Sequence, residues 1–104
     1  MERMVKLGLT KSIGVSNCQL TMLLDIFTYA KIKPVTNQIE VHPYFVRKEL
    51  VDFHKKLNVT ITAFGPLSAP NYDYLRELVG IGKTSPLDDP IIKDLAKKYS
   101  KSPA

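Results

Sequence analysis

Residues 35–41 read V-T-N-Q-I-E-V, in which Val35, Asn37, Ile39 and Val41 alternate with Thr36, Gln38 and Glu40. That period of two is the signature of a β-strand. Working outward, residues 12–16 (S-I-G-V-S) make a short strand before it. Residues 59–64 (V-T-I-T-A-F), rich in β-branched side chains, make another after it. Leu20, Leu23, Leu24 and Phe27 recur between the first two at the spacing of one helix face. Leu50, Val51, Phe53, His54 and Leu57 do the same between the second and third, until Asn58 ends the helix. The strands begin near positions 12, 35 and 59. Such a separation leaves room for a helical crossover, so the three are predicted to be parallel with right-handed connections. The fold class is therefore α/β, either the middle of a doubly wound sheet or an arc of a (β/α)8 barrel.

The flanks follow from local signals. Met1 to Leu7 reads as the last turns of a helix, with Gly8 at a left-handed C-terminal cap. Lys31 to Pro34 break the second helix, because the residue before a proline is driven out of the helical region. After Phe64, residues 65–71 (G-P-L-S-A-P-N) are a loop by composition, and Tyr72 to Val79 form one short helix. Asp88 or Asp89, followed by Pro90, is an N-cap with proline at the first helical position, which launches a helix to about Tyr99. More than twenty residues thus separate the third strand from its main helix, a length usual for functional covers.

Composition narrows the function. The chain has 104 residues, 44% apolar and 24% charged, which fits one soluble domain. No run approaches the roughly 18 apolar residues of a membrane span, and Met1-Glu2-Arg3-Met4 does not open a signal peptide, so no membrane partner and a cytoplasmic location are expected. A single cysteine, Cys18, excludes an internal disulfide and reads as a small residue packed at a loop edge. The net charge of +5 is concentrated near Lys93, Lys97 and Lys101. These recur at helical spacing opposite Ile92, Leu95, Ala96 and Tyr99, as on a solvated helix face, and no nucleic-acid motif accompanies them. No His or Cys recurs at metal-ligand spacing. His42 reads as a structural turn residue beside Pro43. His54, in mid-helix with lysine neighbours, is expected to be a partly exposed surface residue, and Glu40 is expected to be bonded locally rather than catalytic.

Both α/β architectures bind ligands at the carboxyl ends of their parallel strands. Ser16, Asn17, Gln38 and the Phe64-Gly65 corner fall there. Neither G-x-G-x-x-G nor G-x-x-x-x-G-K-[ST] occurs, which removes the usual phosphate-binding readings. Side-chain amides donate and accept at once, which suits a carboxamide, and a phenyl ring offers a flat apolar face for stacking. An amide-bearing aromatic ring such as nicotinamide satisfies both.

In order and spacing, S-I-G-V-S-N, I-K-P-V-T-N-Q-I-E-V-H-P-Y, V-T-I-T-A-F-G-P-L and L-D-D-P-I-I-K-D-L-A-K-K-Y-S-K-S-P-A resemble the aldo-keto reductase family. Only the loop from Ala69 to Thr84 lacks a counterpart. The resemblance implies an incomplete (β/α)8 TIM barrel, with residues 1–104 a partial domain carrying strands like the fifth to seventh. It implies reduction of small aldehydes or ketones to alcohols with NADPH, so the expected cofactor is NADP and the expected partner a small-molecule carbonyl substrate. The implied cofactor-binding residues are Ser16, Asn17 and Gln38 for the nicotinamide carboxamide and Phe64, where the family usually has tyrosine, for stacking. Gly65, where serine is common, and Leu67 belong to the same loop, in which Ser68 replaces a frequent glycine. The family's catalytic Asp, Tyr, Lys and His have no counterpart in these residues, so none here is expected to be catalytic. This chain is accordingly expected to be a piece of a longer enzyme, inactive alone; the alternative is a cofactor-binding or subunit-type protein without turnover.

Overall fold

A computed structural model describes residues 1–67, 73–80 and 85–104. The element order is α1 (Glu2–Lys6), β1 (Gly14–Ser16), α2 (Leu20–Tyr29), β2 (Thr36–Glu40), α3 (Lys48–Lys56), β3 (Thr60–Phe64), α4 (Asp73–Leu78) and α5 (Pro90–Lys98). The three strands form one sheet in the order β1-β2-β3. Both pairings are parallel, with Ser16 opposite Gln38 and Gln38 opposite Thr62. The predicted α/β order and strand direction are thus found, with strand ends trimmed by one or two residues. The chain divides into two compact units, Met1–Val41 with Phe45–Phe64, and His42–Tyr44 with Gly65–Ala104.

In the first unit the pleat sorts the sheet into two faces. Val15, Asn37, Ile39 and Ile61 share one face by register, and Asn37 and Ile39 are fully buried there. Leu23 of α2 and Leu50 and His54 of α3 are buried as well, with Ile13, Cys18 and Val59 completing the core. Complete burial of an aliphatic side chain such as Leu23 or Ile39 stabilises by roughly 1.5–3 kcal/mol. Ser16, Gln38, Thr62 and Phe64 stand on the other face, which is exposed. Thr36 and Thr62 bridge their hydroxyls across it at 3.1 Å.

Two expectations for helix faces, one from spacing and one from neighbouring lysines, are corrected. Leu24, assigned to the inward stripe of α2, is 45% exposed, and Leu23 is the buried residue. The inward side of this short helix turns toward Ile26 instead, which is half-buried. His54, expected near the surface because lysines flank it, has no exposed area. It lies four residues, about one turn, from the buried Leu50 and shares its face, while Lys55 and Lys56 point to solvent.

Two helices of this unit, α1 and α3, close on left-handed residues. Gly8 (φ 70°) closes α1, with Gly8 N–H bonded to Val5 O and Leu9 N–H to Met4 O, the paired bonds of a Schellman cap. Asn58 (φ 56°) closes α3 in the same way, with Asn58 N–H on Lys55 O and Val59 N–H on His54 O. The Glu2 carboxylate receives the N–H groups of Lys31 (2.7 Å) and Ile32 (3.0 Å), tying α1 to the segment that leads into β2. Those backbone bonds, Ile32 foremost, hold its pKa below the usual carboxylate value.

In the second unit, Asp89 is the N-cap of α5 and Asp88 is not. Asp89 Oδ1 accepts from the N–H groups of Ile91 (2.8 Å) and Ile92 (3.3 Å), and Pro90 occupies the first turn, where no N–H is needed. Its other oxygen accepts from the Tyr44 hydroxyl at 2.6 Å, and Tyr44 in turn meets the His42 ring edge-on at 6.2 Å between centroids. The H-P-Y turn is thereby anchored to the start of α5. No residue of α5 is buried; Ile92 and Ala96 are half-covered, and Leu95 and Tyr99 are exposed.

Two predictions arise here. A Cβ on Gly14 would lie 2.5 Å from Thr36 Cγ2 and 2.9 Å from the Thr36 carbonyl oxygen. Gly14→Ala therefore forces β1 and β2 apart and is expected to destabilise by about 1–3 kcal/mol, read as a lower denaturant midpoint. The second concerns pH. The Tyr44 hydroxyl, then the Ile91 and Ile92 amides, hold Asp89 below its ordinary 3.8, while the same bond raises Tyr44 above 10.0. The carboxylate's contribution is complete above the unfolded value of 3.8 and is lost as pH falls through the lower folded value; the phenol's is complete below 10.0 and is lost as pH rises through the higher folded value. The stability difference between wild type and Asp89→Asn, followed by urea unfolding, is expected to be flat at neutral pH, to shrink on the acid side as Asp89 is protonated and to shrink again on the alkaline side as Tyr44 ionises.

Candidate functional site

The carboxyl ends of β1 and β2 meet in a small group of hydrogen bonds. Ser16 Oγ donates to the Gln38 carbonyl at 2.9 Å, and Asn17 N–H donates to the same oxygen at 2.9 Å. The Ser16 hydroxyl spends its proton on that carbonyl, so its lone pairs face outward as acceptors. Gln38 takes part through its backbone, which leaves its exposed side-chain amide available to donate and accept. Asn17 adopts the left-handed conformation (φ 55°), a region that asparagine tolerates better than most residues. The chain leaves the sheet at this residue and enters α2 through Cys18 and the N-cap Gln19.

Beneath this rim lies a second, buried group. Asn37, adjacent to Gln38 in β2 and therefore on the opposite face, brackets Cys18. Its Oδ1 accepts from Cys18 N–H at 3.3 Å and its Nδ2 donates to Cys18 O at 2.8 Å. The same Nδ2 lies 2.9 Å from His54 Nε2, and His54 Nδ1 lies 2.7 Å from Leu50 O. A carbonyl only accepts, so Nδ1 carries the ring proton and Nε2 accepts from Asn37. Cys18 is itself buried, as a packed loop residue.

Phe64, at the end of β3, is in register with Glu40 and stands on the same face as Ser16 and Gln38. It is 38% exposed, so part of its ring is open to a planar partner. Arg47, also left-handed (φ 47°), reaches Gln19 Oε1 with its guanidinium at 3.2 Å and sits 5.1 Å from the centre of the Phe45 ring. It thus ties the start of α3 to the start of α2. Of the six residues singled out from sequence, Ser16, Asn17, Gln38 and Phe64 lie on the strand ends of the first unit. Gly65 (φ 59°, left-handed) and Leu67 belong to the second unit. Ser68, and within the segment from Ala69 to Thr84 residues 69–72 and 81–84, lie outside the described residues.

Sequence reasoning passed over Asn37, His54 and Arg47. The signal for Asn37 was present: it is a polar residue in the apolar phase of a strand, and a buried amide must find partners. His54 stood in the apolar stripe of α3, but its lysine neighbours masked it. Nothing local marked Arg47, whose partner is 28 residues away. Among the described residues, no group of three or more His, Cys, Asp or Glu side chains is placed to hold a metal ion. No described helix is long and apolar enough to cross a membrane.

Comparison with known proteins adds independent findings. A model of the Aldo/keto reductase family matches residues 1–104. The NADP-dependent D-sorbitol-6-phosphate dehydrogenase of Malus domestica is 49% identical over 106 residues, covering all of this chain and 32% of that protein. Aldo-keto reductase family 1 member A1-A of Danio rerio is 45% identical over 104 residues, covering all of this chain and 31% of that protein. The solved structure of the aldose reductase from Schistosoma japonicum superposes with a TM-score of 0.79 at 31% identity, covering 99% of this chain and 29% of that one. An aldo/keto reductase from Brucella melitensis gives 0.75 at 33% identity, covering 98% of this chain and 33% of that one. The chain thus spans about a third of the length of the relatives it matches.

Proposed function

Because this chain belongs to the Aldo/keto reductase family, we propose that its strand ends form the nicotinamide-holding arc of a (β/α)8 barrel that reduces small aldehydes or ketones to alcohols with NADPH. The observation that carries this reading is the rim itself, with Ser16 and Gln38 in register on an exposed face and Asn17 beside them. The relatives support the reaction class, since those matched include a sorbitol-6-phosphate dehydrogenase and probable xylose reductases named for NADP or NAD(P)H. A small carbonyl compound, such as a sugar aldehyde, is the corresponding substrate.

The residues fit a carboxamide-bearing ring. A primary carboxamide has one acceptor oxygen and two N–H donors. Ser16 Oγ, already donating to Gln38 O, can only accept from a ligand at that position, whereas the Asn17 and Gln38 amides can do either. Three such groups on one rim define the roll of the ring about its own plane. The exposed face of Phe64 supplies a stacking surface, and a phenyl in place of a tyrosine keeps that surface while removing a hydroxyl. Gly65 and Leu67, directly after Phe64 in the chain, are proposed to continue the cofactor contact along the loop, Gly65 through its backbone. NADPH, when bound, supplies the hydride; these residues supply orientation, choosing which face of the ring meets the carbonyl. Groups that deliver the proton to the product oxygen are proposed to come from the rest of the barrel, since Ser16, Asn17, Gln38 and Phe64 carry amides, a hydroxyl and a phenyl ring rather than an acid near neutral pH.

In the complete barrel, Asn17→Ala and Gln38→Ala are each expected to remove about 1 kcal/mol of coenzyme binding. That corresponds to roughly a five-fold rise in the NADPH dissociation constant, measured by quenching of protein fluorescence. Phe64→Ala, which removes the stacking surface, is expected to weaken binding in the same direction. Titrations indistinguishable from wild type for all three would remove the rim from the coenzyme site.

A further inference from the structure

On the reading of the rim given above, its usefulness depends on Asn17 keeping a conformation that L-residues seldom adopt. We propose that the buried Asn37–His54 pair is the positioning device that holds it, acting from the far side of the sheet.

Gln38 and Asn37 are consecutive in β2 and grip consecutive amides of the turn. The Gln38 carbonyl takes Asn17 N–H, and the Asn37 side chain takes Cys18 N–H. With Asn37 Nδ2 also on Cys18 O, both peptide groups that flank Cys18 are fixed. The first of these follows the Asn17 α-carbon directly, so its direction sets how Asn17 leaves the sheet.

The Asn37 amide is in turn held by His54. Leu50 O forces the ring proton onto Nδ1, and Nε2 then presents a lone pair to Asn37 Nδ2. Were the amide rotated by half a turn, its oxygen would face two acceptors, Cys18 O and His54 Nε2, and its NH2 would face the Cys18 N–H donor. Asn37 and His54 have no exposed area, so water offers neither an alternative partner. The order of control runs from Leu50 O through the His54 tautomer and the Asn37 orientation to the Cys18 peptides and Asn17. Neither His54 nor Asn37 touches the coenzyme in this scheme; both act through the turn.

The test is His54→Phe in the complete barrel, which keeps the ring's bulk and removes both nitrogens. The expected result is a roughly three- to ten-fold weaker affinity for NADPH, the loss that follows from releasing one or two rim hydrogen bonds. Affinity for adenosine 2′,5′-bisphosphate, which has no nicotinamide, is expected to be unchanged. An unchanged NADPH affinity, or equal weakening of both ligands, overturns the proposal, because a loss of general fold quality does not single out the nicotinamide end. If the variant does not fold, the 15N imidazole shifts of the wild-type protein decide: a pyrrole-type Nδ1 and pyridine-type Nε2 are expected, and the reverse tautomer overturns it. Failure of the underlying reading shows separately, as Asn17→Ala and Gln38→Ala variants that bind NADPH like wild type, and the inference then falls with it. If those variants weaken binding and His54→Phe does not, only the inference falls.

Discussion

The parallel ladder that sets Ser16 beside Gln38 and Gln38 beside Thr62 is the constraint on which everything else in the first unit depends. In a pleated strand, neighbouring residues point to opposite faces, so a shift of one residue in either pairing would exchange the two populations. It would drive Gln38 into the core and turn Asn37 and Ile39 to solvent. The register is locked because the penalty for that exchange is large on both sides: an apolar residue lost from the core and an amide buried without its partners. The same ladder brings three strand ends to one rim, where side chains from distant parts of the sequence stand side by side.

That rim is built from backbone as much as from side chains. The Gln38 carbonyl accepts both the Ser16 hydroxyl and the Asn17 backbone amide, which leaves the Asn17 and Gln38 side-chain amides, and of the Ser16 hydroxyl only its lone pairs, uncommitted to these bonds. Asn17 and Arg47 are left-handed where the chain turns from strand toward helix, and Gly8, Asn58 and Ser100 are left-handed where helices close. Asparagine at two of these places and glycine at one follow from local chemistry, since both tolerate the conformation. Arginine does not share that tolerance. Arg47 is held by its surroundings, with its guanidinium on Gln19 and over Phe45.

Proteins of this family that match the chain are about three times as long. The division of labour proposed for the barrel assigns orientation of the coenzyme ring to this arc and proton delivery to the remainder. It is consistent with the chemistry present: amides, a hydroxyl and a phenyl ring are good at holding a neutral planar group and poor at moving protons near neutral pH. Asp89 and Tyr44, the pair whose ionisation the fold perturbs in both directions, serve a different end by fastening a turn to a helix start.

The amino-acid sequence by itself determined the succession of strands and helices, the caps at Gly8, Asn58 and the aspartate before Pro90, and the polar residues gathered at the strand ends. These are decided by periodicities of two and 3.6 and by residues with strong local preferences, which act over a few positions. Only the tertiary structure decided that Leu24 faces solvent and that His54 is buried against Asn37. Each of those depends on a partner far along the chain or on how much surface a neighbouring element covers. Asn37 and His54 are 17 residues apart, and neither marks the other in sequence. A buried amide and a buried imidazole satisfy one another only once a strand and a helix have packed, and it is that packing, not local preference, that turns two ordinary polar residues into one hydrogen-bonded unit.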